Sequence, residues 1–280
     1  MYIDTHSKKS MEQSICDYFN ISRAKLDNLI HEAGKTAKKE GYFYSEKFDI
    51  IIDEFIYSHL PDTHINEILF FHLGRRLNNT NSYIGNNLFD LLSHDNCMTD
   101  FFKKHDIIFS PCEERLNLIH DGKLELFEDE SKLYNSYLRW RLGYTDRKDF
   151  CFNGFLFKDL LYKNTYTRSL FKGPEFIQRL ADFLNKPEIL KDYLENSTYY
   201  CYEYQVPIEK IVFDNSEKLL LEDKYKYLLR KVFYRLYEYS NNRYMTNPNN
   251  PILRISDDDK MQEEYFVSKE EIVSEMLITI

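Results

Sequence analysis

Ile65-Asn66-Glu67-Ile68-Leu69-Phe70-Phe71-His72, followed by Leu73 and Gly74, is the stretch at which this chain changes character. Before it, apolar residues recur at helical intervals: Ile15, Phe19, Leu26, Leu29 and Ile30, then Ile51, Ile52, Phe55, Ile56 and Leu60. At Ile65 the apolar residues close into a short run, which reads as a buried strand ending at Gly74. Beyond it, short strands and helices follow one another. The spacing predicts a helix over Leu88 to Lys104 and a strand from Phe150 to Phe157, broken by Gly154. Asp121-Gly122 sits between two apolar segments of 116–127, a hairpin signal because that pair tolerates the positive φ angles of a tight turn. Pro174 to Leu184 reads as a helix with proline at its first turn. Thr198 to Val206 reads as a strand with tyrosine on both faces, and Asp223 to Tyr239 as an amphipathic helix. Strands are expected around Ile252–Ile255, Tyr265–Val267 and Met276–Ile280. No regular βαβ rhythm is present, so the expected class is α+β. The expected organisation is a helical N-terminal lobe over residues 1–62 and a second domain over 63–280 with a mostly antiparallel sheet.

Composition removes several classes of function. The chain has 280 residues, 43% of them hydrophobic, enough for a substantial core. No long uncharged apolar run suits a membrane span, and the polar start, Met1 to Ser10, does not read as a secretory signal. A cytoplasmic protein without membrane partners is the expectation. Five scattered cysteines suit free thiols in a reducing compartment. His94, Cys97, His105 and Cys112 fit no common zinc spacing, and no metal is expected. A net charge of −9 argues against tight non-specific nucleic-acid binding. Ser14 to Ile30 still fits a helix-turn-helix, with Asn20 and Ser22 in the turn and Arg23 and Lys25 facing DNA. Two packed helices of an accessory lobe fit it as well. Neither phosphate-loop pattern occurs among the eight glycines, and there is no GxSxG elbow or HExxH.

Three segments remain, in order. The first is Leu69-Phe70-Phe71-His72-Leu73-Gly74-Arg75-Arg76. The second is Asn153-Gly154-Phe155-Leu156-Phe157-Lys158-Asp159, with Tyr162 and Tyr166 shortly after. The third is Gln262-Glu263-Glu264-Tyr265-Phe266-Val267-Ser268. Over residues 65 to 280 this order resembles the ADP-ribosyltransferase superfamily, in its histidine–tyrosine–glutamate branch of poly(ADP-ribose) polymerase-like and diphtheria-toxin-like enzymes. His72 matches the first motif of that branch, Gly154 to Asp159 the second, Tyr166 the second tyrosine and Glu264 the glutamate. The chain departs from the branch in having Leu156 or Phe157 at the first stacking tyrosine and Leu73 between histidine and glycine. Its interval from His72 to Gly154 is also longer.

The resemblance implies a split, mostly antiparallel sheet that holds NAD as substrate, without a metal. It implies transfer of ADP-ribose to a macromolecular acceptor, protein or nucleic acid, as in toxins and defence effectors. It assigns catalysis to Glu264, whose carboxylate would stabilise the positive charge developing on the ribose. His72, Gly74, Gly154, Phe157 and Tyr166 would bind the dinucleotide, with nicotinamide against the two aromatic rings. Arg75 or Arg76 would clamp the pyrophosphate. A non-enzymatic interaction module, or a DNA-binding regulator built on the N-terminal helices, is the alternative.

Overall fold

The computed structural model describes residues 1–127, 132–214, 216–240 and 250–277. In chain order the elements are α1 (Lys8–Phe19), α2 (Arg23–Ala37), β1 (Lys38–Lys39), β2 (Tyr42–Phe43), α3 (Ser45–His59) and β3 (Glu67–Leu77). There follow α4 (Leu88–Ser93), α5 (Cys97–Lys103), β4 (Ile107–Cys112), β5 (Arg115–His120), β6 (Lys123–Leu124), α6 (Leu133–Arg141) and β7 (Asn153–Phe155). The rest are α7 (Thr165–Phe171), α8 (Glu175–Leu184), α9 (Pro187–Glu195), β8 (Ser197–Pro207), β9 (Val212–Phe213), α10 (Leu221–Tyr239), β10 (Ile252–Arg254) and β11 (Phe266–Glu271). Helices and antiparallel sheets are mixed without a repeating unit, so the class is α+β.

The chain divides into two compact units that interleave in sequence. Unit 1 is Met1–Phe71, Phe155–Leu161 and Gln205–Leu253, and unit 2 is His72–Gly154, Tyr162–Tyr204 and Arg254–Ile280. A six-stranded sheet has the order β11-β8-β3-β7-β10-β9. A cut between residues 62 and 63 therefore does not coincide with this division.

Unit 1 gathers α1, α2, α3 and α10. Ser22 caps α2 by accepting from the Lys25 N–H, and Asn20 takes the left-handed φ of 49° that lets α1 stop. Phe19, Phe55 and Phe233 meet at 5.0 to 6.0 Å and join three of these helices. Gly34, inside α2, lies against Tyr237 of α10, and an added Cβ would sit 2.2 Å from the ring Cε2. Gly34→Ala, normally worth up to about 1 kcal/mol in helix propensity, is therefore expected to destabilise by about 1–3 kcal/mol through overpacking. Urea unfolding of the variant checks the sign.

Unit 2 contains the three-stranded sheet β4-β5-β6, whose inner residues Ile107, Phe109, Leu116 and Leu118 pack with Leu138, Ile177 and Leu180 of the helices α6 and α8. The Asp121-Gly122 turn forms with φ of 49° and 72° and joins β5 to β6. The single helix expected over 88–104 is two, α4 and α5. Asn96 interrupts it by capping α5, accepting from the N–H groups of Met98 and Thr99.

Three strand expectations are also corrected. β3 does not end at Gly74 but continues to Leu77, because that glycine is not in a turn conformation. The strand expected over 150–157 is confined to Asn153–Phe155. Met276 belongs to a 3₁₀ turn, Ser274–Met276, and residues 278–280 of the expected last strand lie outside the described residues.

Candidate functional site

In unit 2 the sheet order sets β8 between β3 and β11. The bonds Asn78 N–H to Asn196 O and Ile208 N–H to Asn66 O mark the two ends of an antiparallel β3–β8 pairing. Side chains alternate between faces along a strand. His72, Gly74 and Arg76 therefore share one face of β3, while Leu73 and Arg75 point to the other.

On the His72 face the rings form a row. His72 stacks on Phe152 at 4.0 Å, and Phe152 meets Tyr204 edge-on at 5.9 Å. Tyr204 meets Phe266 at 6.0 Å, and Phe266 stacks on Tyr83 at 3.9 Å with the planes 5° apart. Tyr202 lies 6.2 Å from His72 and carries the Arg76 guanidinium 4.6 Å above its ring. The Tyr204 hydroxyl donates to the Tyr83 carbonyl at 2.7 Å. The alternation Tyr200-Cys201-Tyr202-Glu203-Tyr204 carried the signal for this row. Phe152, Tyr83 and Phe266 had none, because they reach the row from separate segments.

His72 sits opposite Gly154, as the antiparallel register Phe71↔Phe155 requires. Its Nδ1 bonds the Asn153 carbonyl at 2.7 Å, which makes Nδ1 the protonated nitrogen of a neutral ring and leaves Nε2 as an acceptor. Burial is the main cause that drives its pKa down to about 4; the Asn153 bond opposes this and Arg76 adds to it. Gly74 is placed by the same ring, since a Cβ there would lie 2.6 Å from Nε2. Gly74→Ala should push the imidazole off Phe152 and lower stability by about 1–3 kcal/mol. The shift of the His72 ring resonances, read beside the melting temperature, checks it.

The other expected residues are not gathered around His72. Arg75, on the opposite face, gives its guanidinium to the hydroxyl and carbonyl of Ser197, to Leu194 O and to Phe171 O, at 2.7 to 3.2 Å. It ties the ends of α7 and α9 to the sheet and has its donors committed. Arg76 likewise donates to the carbonyls of Ser82 and Ile84. Tyr166 is 46% exposed on α7. That helix is fixed to the Arg75 side of the sheet, where Tyr199 donates to Thr167 O at 3.2 Å. Phe157 belongs to unit 1 and is buried there. The pleat thus separates Tyr166 from the histidine.

Glu264 lies in the 3₁₀ turn Glu263–Tyr265, just ahead of β11, and not within a strand. It is exposed and makes no hydrogen bond or ion pair among the described residues. Its neighbour Glu263 accepts from the Tyr83 N–H at 3.2 Å. Phe266, two residues on, pairs with Tyr204. The glutamates thus stand at the far end of the aromatic row that begins at His72.

Two other features bear on chemistry. Asp149, Cys151 and Asp257 offer ligand atoms within 4.8 Å of one another. They are satisfied by protein, however: Asp149 pairs with Arg141 at 2.5 Å, and Asp257 accepts from the Phe150 N–H at 2.6 Å. Burial first, then the neighbouring Asp149 carboxylate, pushes the Cys151 thiol up to about 12, against the thiolate a metal would need. At the N-terminus, Arg23 bonds Glu12 and Asp27, and the Lys25 ammonium lies 3.2 Å from His59 Nε2. Both cations named for DNA contact have partners within the fold.

Among the described residues no helix is long and apolar enough to cross a membrane. The fold and this site define an α+β protein with an aromatic, histidine-bearing sheet face. Comparison of the chain with family models, curated proteins and solved structures gives no match in any of the three.

Proposed function

We propose that the chain is an NAD-dependent ADP-ribosyltransferase that works on the His72 face of its sheet and modifies a macromolecule. One observation carries the reading. The histidine strand and the segment bearing the late glutamates stand one strand apart, joined by a continuous row of aromatic rings on one face. Such a row offers a planar heterocycle stacking partners. A carboxylate at its end suits a reaction that builds positive charge on a ribose.

The roles differ from those the motifs imply. His72 accepts a hydrogen bond from a ribose hydroxyl at Nε2, because Nδ1–H is held by Asn153. The stacking rings are drawn from Phe152, Tyr202, Tyr204, Tyr83 and Phe266, and not from Phe157 and Tyr166. Glu264 is the free carboxylate, while Glu263 positions the turn through Tyr83. In the step itself the bond from ribose C1′ to the nicotinamide nitrogen breaks, nicotinamide leaves with the electron pair, and an acceptor oxygen or nitrogen attacks C1′ and loses its proton. The test is incubation with NAD labelled in the adenylate part, with and without a cell extract. Release of nicotinamide with label on a macromolecule is the expected result; no release under either condition overturns the reading.

A further inference from the structure

Among the described residues β11 forms one edge of the six-stranded sheet, with β8 as its neighbour. Its register opposes Ser268 to Glu203, Lys269 to Tyr202, Glu270 to Cys201 and Glu271 to Tyr200. The next pair, Ile272 with Tyr199, is joined by the bond from Ile272 N–H to Tyr199 O at 2.9 Å. Hydrogen-bonded and non-hydrogen-bonded pairs alternate along an antiparallel ladder. Ser268 and Glu270 therefore turn their backbone groups toward β8, while Lys269 and Glu271 turn theirs to the outer edge. All of these residues belong to unit 2.

The outer edge carries one charge of each sign. Lys269 and Glu271 are exposed, and neither makes a hydrogen bond or ion pair among the described residues. The Lys269 ammonium rests against the rings of Tyr200 and Tyr83, at 4.6 and 5.5 Å. Charges on an edge strand ordinarily prevent association. Here the two outward positions share one face of the strand. A second copy related by a two-fold axis therefore sets its Glu271 against Lys269 and its Lys269 against Glu271. Sliding the register by two residues either way opposes Lys269 to Lys269 or Glu271 to Glu271, so like charges disfavour both neighbouring registers. The cost of the favoured register lies on the other face, where Glu270 meets its own copy. The Tyr162 hydroxyl donates to that carboxylate at 2.6 Å and holds it within its own subunit.

We infer that β11 is a self-association edge, at which a second copy of this chain adds its own β11 antiparallel and pairs Lys269 with Glu271 in both directions. The backbone groups at these positions complete the ladder, and the cross-strand ion pairs fix the register. The proposal is independent of the NAD reading, since it assigns neither residue to catalysis and its readout is the mass of the particle in solution.

The test is sedimentation velocity of the full chain over a concentration series. A reversible monomer–dimer equilibrium is expected, weakened by added salt because the ion pairs are exposed. Lys269→Glu and Glu271→Lys should each raise the dissociation constant about tenfold, since each reversal turns both ion pairs into like-charge pairs. The two reversals combined exchange the signs and should restore the original dimer, a rescue that misfolding cannot produce. Glu270→Gln should tighten it by removing the like-charge contact on the other face. Asp95→Lys, at a carboxylate 95% exposed elsewhere in unit 2, changes the net charge as Glu271→Lys does and should leave the equilibrium unchanged. A dimer indifferent to the single reversals, or one that the combined reversal fails to restore, overturns the proposal. So does a chain that stays monomeric throughout, which leaves the edge charges their ordinary protective role.

Discussion

Glu264→Gln should reduce nicotinamide release from NAD by about 100- to 1,000-fold while leaving the melting temperature unchanged. The magnitude is that of removing one fixed electrostatic stabiliser from a transition state, roughly 3–4 kcal/mol. The unchanged stability follows from the residue's position: its carboxylate is exposed in a turn and holds nothing else in place. Glu263→Gln should behave in the opposite way. Its carboxylate holds the Tyr83 N–H, and a glutamine oxygen can accept the same bond, so the loss of rate should stay within about tenfold. Should Glu263→Gln prove the dead variant and Glu264→Gln the active one, the roles are exchanged. If neither variant alters a measurable rate, the aromatic row is not the reaction site. A His72→Ala variant completes the set, because it removes both the Nε2 acceptor and the ring stacked on Phe152. It should lose activity and some stability together, which His72→Gln, keeping an acceptor, should partly restore.

The largest effect on stability is expected at Arg235. It is 2% exposed, and its guanidinium grips Asp159 with two bonds, 2.9 and 3.1 Å, and Glu238 with a third at 2.9 Å. The Tyr239 hydroxyl closes the group on Asp159. Burial alone would lower the arginine's pKa, but the bonds and charges of Asp159 and Glu238 outweigh it and leave the net shift upward. Asp159→Ala removes two of the three bonds of a buried cation, leaving it Glu238, and should cost about 3–5 kcal/mol, with a fall in melting temperature on the order of 10 °C. Replacing all three charged groups together, Arg235→Met and Asp159→Leu with Glu238→Gln, should recover most of that loss, since a buried ionic group contributes little beyond neutral residues of similar volume. A double-mutant cycle in urea measures the coupling directly. A single Asp159→Ala loss below about 1 kcal/mol would show that water reaches the group.

The elements that the chain announces by itself are those with local causes. The N-cap at Ser22, the left-handed stop at Asn20 and the turn at Asp121-Gly122 act within four residues, and each formed where its chemistry required. The long strand β8 and the long helix α10 were legible from alternation and from the helical period, which express one face against a core. Where two local causes competed, the sequence misled. The apolar period of 88–104 hid the stronger capping preference of Asn96, and the glycine at 74 suggested an end where it only made room for an imidazole.

The site was legible only in part, for a different reason. Sequence order brought His72, Gly154 and the Glu263–Glu264 pair to attention, and pairing in the sheet set His72 across from Gly154. No local rule could tell that Arg75 would spend its donors on Ser197, Leu194 and Phe171, about 96 to 122 positions away. Nor could one tell that Asp159 would meet Arg235 instead of a ligand. Backbone preference is decided by neighbours a few residues off, so the chain carries it in its letters. The partner of a charged or aromatic side chain is decided by which distant segments pack together, and only the folded molecule fixes that choice.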